Sequence, residues 1–161
     1  MKTIAMISEH ASPLSPAGSV DGGGQNVYVA QLARHLCARG CRIDVFTRRN
    51  DPLLPPIVEV CSNMRLIHVP AGPARPIDTT ALLPMMDAFG DYLHRFMSHE
   101  QRRYDLIHAN FFMSGLAALR CVDAFDLPLV MSFHALGRTH RVERDDERRF
   151  PRQRIAIETL L

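Results

Sequence analysis

The sequence predicts an α/β domain: a parallel β-sheet with helices packed on both of its faces. Two observations carry that class. The order of patterned segments is β-α-β, a short β excursion, then α-β-α-β, which is the alternation a parallel sheet needs for its crossovers. The runs at 3–8 and 129–133 are short and apolar, as strands buried inside such a sheet are.

Each element has its own signal. Residues 3–8 form the first apolar run, followed by a loop over 9–22 rich in serine, proline and glycine. Val29, Leu32, Ala33, Leu36 and Cys37 then fall on one helical face, and Gly40 is placed to end that helix. Ile43 to Thr47 reads as the second strand. Ile57–Cys61 and Arg65–Val69 flank Ser62-Asn63 and read as two more strands, a candidate hairpin. Three prolines mark 70–76 as a loop. Leu82, Met86, Phe89, Leu93, Phe96 and Met97 predict one helix. Strand, helix and strand follow at Asp105–Ala109, Ser114–Phe125 and Leu129–Phe133. Ile155, Ala156, Ile157, Leu160 and Leu161 then begin an apolar helical pattern after a heavily charged stretch, 138–154, that holds seven arginines. The expectation is that 1–161 is the N-terminal part of a longer protein.

Composition narrows the function. The 161 residues are 47% hydrophobic and 22% charged, an ordinary globular balance. A net charge of +2 gives no case for a nucleic-acid partner. Lys2 is the only lysine, a bias that fits a GC-rich genome. No run approaches the ~20 apolar residues of a transmembrane span. The N-terminal run meets Glu9-His10 before it could serve as a signal peptide, so a cytoplasmic protein is expected. Cys37, Cys41, Cys61 and Cys121 contain no Cys-x-x-Cys pair, and are expected to be buried reduced thiols rather than a metal site.

In a doubly wound sheet, ligands bind beyond the carboxyl ends of the strands, where strand order reverses. This directs attention to 9–26, 47–50, 108–115 and 134–141. Within the first, Asp21-Gly22-Gly23-Gly24-Gln25-Asn26 opens the first helix. Its glycines let backbone approach a ligand, and the helix N-terminus favours an oxyanion. It is neither the dinucleotide fingerprint nor a P-loop: Val27 occupies the third glycine position, and no Gly-Lys-Ser/Thr follows. A plain flexible turn is the alternative. His108 and His134 are placed by the strand pattern near carboxyl ends, as site residues or as structural hydrogen-bonding histidines.

The segment from Asp21 to Leu36 and the run Val45-Phe46-Thr47-Arg48-Arg49 resemble the N-terminal domain of group 1 (family 4) retaining glycosyltransferases, closest to the sucrose-phosphate synthase branch. Val69–Pro73, Tyr104–Asn110 and Ser132–Arg138 extend the similarity in the same order, over nearly the whole chain. The resemblance implies a Rossmann-like domain, the acceptor-side half of a two-domain GT-B architecture, packed against a C-terminal donor-binding domain. It implies hexose transfer from a nucleotide sugar to a sugar or sugar-phosphate acceptor, with no metal and no other cofactor required. By position, Gly23 and Gly24 match the loop that meets the donor diphosphate, with Gln25 and Asn26 beside it. His134 matches the histidine next to the donor sugar and reacting carbon, and Arg138 a residue near the acceptor. His108 joins the substrate-binding set.

One departure concerns the acceptor. Arg75-Pro76-Ile77-Asp78-Thr79 stands where the sucrose-phosphate branch has a lysine for the acceptor phosphate. Arg75, Arg138 and Arg141 are the available replacements. A non-catalytic sugar- or nucleotide-binding module is the second reading. A nicotinamide-dependent dehydrogenase is the third, opposed by the broken fingerprint.

Overall fold

The structure is a computed structural model that describes residues 1–14, 24–137 and 152–161. Its centre is a six-stranded sheet: β1 (Thr3–Ile7), β2 (Arg42–Arg48), β3 (Ile57–Cys61), β4 (Met64–Val69), β5 (Leu106–Asn110) and β6 (Leu129–Ser132). Strand order across the sheet is β3-β4-β2-β1-β5-β6. All pairs are parallel except β3–β4, the predicted hairpin, which forms one edge.

Burial follows from position. The interior strands β1 and β4 are buried at every residue; β1 reads as a continuous apolar run, whereas β4 buries Arg65 and His68 among its apolar residues. Edge strand β3 instead alternates between exposed and partly covered residues. Alternation across β1 divides the core in two. Ile4 and Met6 face α1 (Gly24–Ala38) and pack with Val29, Ala33 and Val45. Ala5 and Ile7 face the opposite layer, built from α2 (Met86–His99) and α3 (Phe112–Phe125), and pack with Phe89, Leu93 and Ala118. Fully buried Phe89 stabilises this layer by about 1.5–3 kcal/mol. Helices therefore cover both faces, as the sequence predicts.

The two helices of that layer approach closely at Gly90, where a Cβ would stand 2.8 Å from the Ala117 carbonyl oxygen. Helix α1 ends where predicted: Gly40 takes φ +84°, and the next N–H, that of Cys41, returns to the Leu36 carbonyl at 3.0 Å. Helix α2 begins later than its periodicity suggests. Leu82 is buried, but it precedes a 3₁₀ turn over Leu83–Met85 that contains Pro84, and the α-helix starts only at Met86. The apolar pattern near the end of the chain forms α4 (Arg152–Leu160), in contact with α3. The cysteine expectation needs correction: all four thiols are free, but only Cys121 is buried; Cys37 and Cys41 are partly covered, and Cys61 is exposed at the end of the edge strand.

Chain order places the reversal between β1 and β5. From β1 the chain moves outward to β2, on to the edge strand β3 and back to β4 between them, then crosses to β5 and β6 on the other side. The crevice beyond the carboxyl ends of β1 and β5 is the position such a sheet offers a ligand.

Candidate functional site

Four segments meet at this crevice: Ser8-Glu9-His10 after β1, the first turn of α1, Asn110-Phe111 after β5, and the turn after β6. Asn110 joins them. Its side-chain nitrogen donates to the Ile7 carbonyl at 3.2 Å. Its Oδ1 is thereby turned toward His134 Nε2, 3.1 Å away. Since an amide oxygen only accepts, His134 Nε2 carries the proton in this arrangement. The His134 ring also stands edge-on to Tyr28, with centroids 4.9 Å apart.

His134 lies two residues past the end of β6, in a turn where it takes φ +60°, and its outer edge is exposed. Partial burial holds its pKa below the ordinary imidazole value; the His10 charge lowers it further and Glu9 opposes. The neutral ring is favoured, suited to directed hydrogen bonding rather than to carrying charge. The turn is held from beneath by α4. Arg154 donates to the Ala135 carbonyl and, through Nε, to Glu158 at 2.6 Å. Glu158 in turn accepts from the Gly137 N–H at 2.9 Å.

His108 needs a correction. It sits in the middle of β5, opposite Met6 and Val130, and is 7% exposed. The strand continues two residues further than a carboxyl-end histidine requires, which leaves the imidazole inside the sheet layer. Its Nε2 pairs with Ser132 Oγ at 2.9 Å, and Ser132 Oγ lies 3.4 Å from the Tyr28 hydroxyl. Burial, then the charge of His134, lowers its pKa. Any effect of His108 on a ligand passes through Ser132 and Tyr28.

At the start of α1, the side-chain nitrogen of Gln25 donates to Ser8 Oγ at 3.2 Å and to the Asn110 carbonyl at 3.3 Å. That amide fastens the helix N-terminus to two strand ends. Asn26 is buried and donates to the Ser12 carbonyl at 3.0 Å, fixing the loop after β1. Gly24 is the first residue of α1, and nothing lies within 4 Å of where its Cβ would be. Gly23, Arg138 and Arg141 lie outside the described residues.

Two features here have no counterpart in the sequence reading. Glu9 is fully buried, and both carboxylate oxygens are engaged: one accepts from the Ser114 hydroxyl, the other from His10 Nδ1 at 2.7 Å. Ser114 lies in the first turn of α3, whose dipole favours the negative charge. Phe111 takes φ 81° and ψ 155°, a region almost confined to glycine that costs about 1–3 kcal/mol. The structure over-determines it. Its N–H donates to the Ser132 carbonyl at 2.8 Å, and the Arg154 guanidinium lies 5.0 Å over its ring. The signal for Glu9 was its place immediately beyond the first strand; for Phe111 there was none.

Beside Glu9 and His10 an open depression of about 320 Å³, counting its mouth, is completed by Ser12, Thr47, Arg48, Asn50, Ile77 and Leu82. Arg48 is nearly buried. It donates to the Pro73 carbonyl at 2.8 Å and the Arg75 carbonyl at 2.7 Å, shaping the proline-rich loop around the depression. Among the described residues, no helix is long and apolar enough to cross a membrane.

Residues 23–161 match the glycosyl transferase 4-like domain. A D-inositol 3-phosphate glycosyltransferase from Kineococcus radiotolerans is 39% identical over 139 residues, covering 86% of this chain and 32% of the relative. Its counterpart from Catenulispora acidiphila is 41% identical over 134 residues, covering 83% of this chain and 31% of the relative. Among solved structures, the sucrose-phosphate synthase of Thermosynechococcus elongatus superposes with a TM-score of 0.90 at 30% identity, covering 99% of this chain and 40% of that one. The chain thus spans about a third of the length of the curated relatives it matches.

Proposed function

Given that this chain belongs to the glycosyl transferase 4-like domain family, we propose that it forms the acceptor-side half of a retaining hexosyltransferase that uses a nucleotide-sugar donor. The observation that carries this reading is the convergence of the α1 N-terminus, Asn110 and His134 on the switch-point crevice, beside an open polar depression. The acceptor is a sugar, a polyol or one of their phosphates, held in the depression beside His10. A donor-binding half of the same protein closes the other side of the crevice.

In this reading the donor diphosphate meets Gly23, Gly24 and the N-terminus of α1, whose partial positive charge stabilises the developing negative charge of the leaving group. The bond from the anomeric carbon to the diphosphate oxygen breaks. The acceptor oxygen bonds to that carbon on the same face, and the acceptor proton passes to the departing phosphate oxygen. His134 is the catalytic residue beside the sugar ring, kept neutral and aimed by Asn110. Gln25 and Asn26 shape the loop around the donor, His108 supports the wall through Ser132, and Arg138 contributes charge near the acceptor.

The test uses the full-length protein. UDP- and ADP-glucose are offered with D-inositol 3-phosphate or fructose 6-phosphate, and nucleoside diphosphate release is followed. His134→Ala is expected to slow transfer by on the order of 10²–10³ with the thermal midpoint little changed. A destabilised variant whose folded fraction keeps full turnover overturns the role of His134. Absence of acceptor-dependent release from every donor–acceptor pair overturns the transferase reading.

A further inference from the structure

We propose that Cys37 and Cys61 form an oxidisable dithiol, a site at which a peroxide cross-links α1 to the β3–β4 hairpin. It lies at the end of the sheet opposite the crevice, and it does not depend on the reaction that the crevice carries out.

Topology brings the two residues together. Helix α1 starts at the crevice and runs back along the sheet, so Cys37, in its last turn, stands near the beginning of β2. The beginning of β4 lies beside β2 there, with Ile43 opposite Met64. Antiparallel β3 ends at the same level, and Cys61 stands opposite Met64 across the hairpin. Met64 is buried in the cluster against which Cys37 and Cys41 pack. The Cys37 thiol donates to the Asn63 carbonyl at 3.4 Å, two residues past Cys61. It also meets the Cys61 thiol in a side-chain hydrogen bond. Two sulfurs carried by separate elements are therefore in contact before any bond forms between them. Among the described residues, no three Cys, His, Asp or Glu side chains are grouped to hold a metal ion, whereas a disulfide needs only two sulfurs.

The pair is asymmetric. Cys61 is exposed and Cys37 is partly covered. Burial, then the neighbouring Cys61 and Cys41 thiols, push the Cys37 thiol up to about 11. At neutral pH Cys37 keeps its proton, so the first step falls to Cys61. The Cys61 thiolate attacks one oxygen of hydrogen peroxide and the O–O bond breaks. Cys61 becomes a sulfenic acid, and the released hydroxide takes a proton from water. The Cys37 sulfur then attacks the Cys61 sulfur, the S–O bond breaks, and the hydroxyl leaves as water with the Cys37 proton. Each sulfur gives up one electron and the peroxide accepts two. Cys37 and Cys61 are 24 positions apart in the sequence, and closing a loop of that size restricts mainly the unfolded chain.

The experiment treats the full-length protein with hydrogen peroxide, alkylates the remaining thiols and digests with trypsin without reduction. Cleavage after arginine places Cys37 in peptide 35–39, Cys41 in 40–42 and Cys61 in 50–65, so mass spectrometry reads each pairing directly. A cross-link between 35–39 and 50–65 is expected, reversed by dithiothreitol. Cys121, fully buried in the layer on the other face of the sheet, is expected to remain a thiol. Cys61→Ser is expected to leave Cys37 reduced at the same dose. The cross-linked wild type is expected to melt several degrees higher than the reduced form, with no such rise in Cys61→Ser. A cross-link between Cys37 and Cys41 in place of the expected one overturns the proposal. Conversion of Cys61 to a sulfinic acid while Cys37 stays a thiol overturns it as well. So does the survival of both thiols at a dose that turns free cysteine fully into cystine. A lower melting point in the cross-linked form shows that the two sulfurs are not set for bonding, and has the same force.

Discussion

Glu9 and Asp44 are both carboxylates with no exposed surface, yet the protein surrounds them differently. Asp44 stands in β2 directly opposite Arg65 of β4, so strand register delivers the partner. Arg65 grips both of its oxygens, Tyr104 donates to it at 2.6 Å, and Arg102 lies 3.7 Å away. Glu100 also accepts from the Arg65 guanidinium, at 2.8 Å, and shares its single charge. Glu9, by contrast, has a serine hydroxyl and an imidazole as its side-chain partners among the described residues. One carboxylate is matched by full positive charges inside the fold. The other is tethered beside an open depression by groups that carry no permanent charge. Burial of a carboxylate is thus met in two ways, by ion pairing at Asp44 and by a serine and an imidazole at Glu9.

The largest expected effect tests the structural member. Asp44→Ala leaves Arg65 without its bidentate partner in the interior, and should cost about 3–5 kcal/mol in a denaturant titration. The folded fraction should retain the acceptor KM, because Asp44 takes no part in the site. A shift in acceptor KM without loss of stability would erase the distinction. Glu9→Gln should be milder, within about 0.5–1.5 kcal/mol, since the amide can still bond to both Ser114 and His10. A loss as large as that of Asp44→Ala would show that Glu9 is held as a structural charge after all.

The smallest effect concerns pH. His108 and His134 both have pKa values lowered in the folded state, chiefly by burial. The unfolded chain therefore binds more protons than the folded one as pH falls through the ordinary imidazole range near 6.5, and stability must drop there. Thermal midpoints measured between pH 7.5 and 5.5 should decline, and His108→Gln should flatten part of that slope. A rising midpoint toward acid pH would contradict the burial of these rings.

The first strand was legible because a parallel strand covered on both faces becomes an uninterrupted apolar run, and the helix after β1 because its face repeats cleanly; Leu129–Phe133 also read as a buried strand, but β6 lies at the sheet edge with Val130 exposed. The start of α2 was not legible, since Leu82 fits the helical repeat although it lies before the 3₁₀ turn over Leu83–Met85. Topology located the crevice, but the contacts inside it join residues far apart in the chain. Ser114 is 105 positions from Glu9, and His134 is 24 from Asn110. No local pattern announces such pairs. His108 illustrates the opposite error: the strand runs one residue beyond the expected Ala109, to Asn110, and His108 sits at its middle rather than at the rim. Asp44 and Arg65 did leave a trace, as opposite charges set within two apolar strands. Each must find a partner, and neighbouring strands supply it.

Asn110 has a thermodynamic consequence. It is fully buried, and it ties β1, the first turn of α1 and the His134 ring through three hydrogen bonds. The rotational freedom of Asn110, Gln25 and His134 is therefore surrendered when the chain folds. On the proposed reading, a substrate entering the crevice meets side chains already ordered, and the entropic penalty of immobilising each, about 0.5–1.5 kcal/mol for a flexible side chain, is not charged against binding. The marginal stability of the domain carries that cost instead, so tight recognition and easy unfolding trade against each other at a single amide.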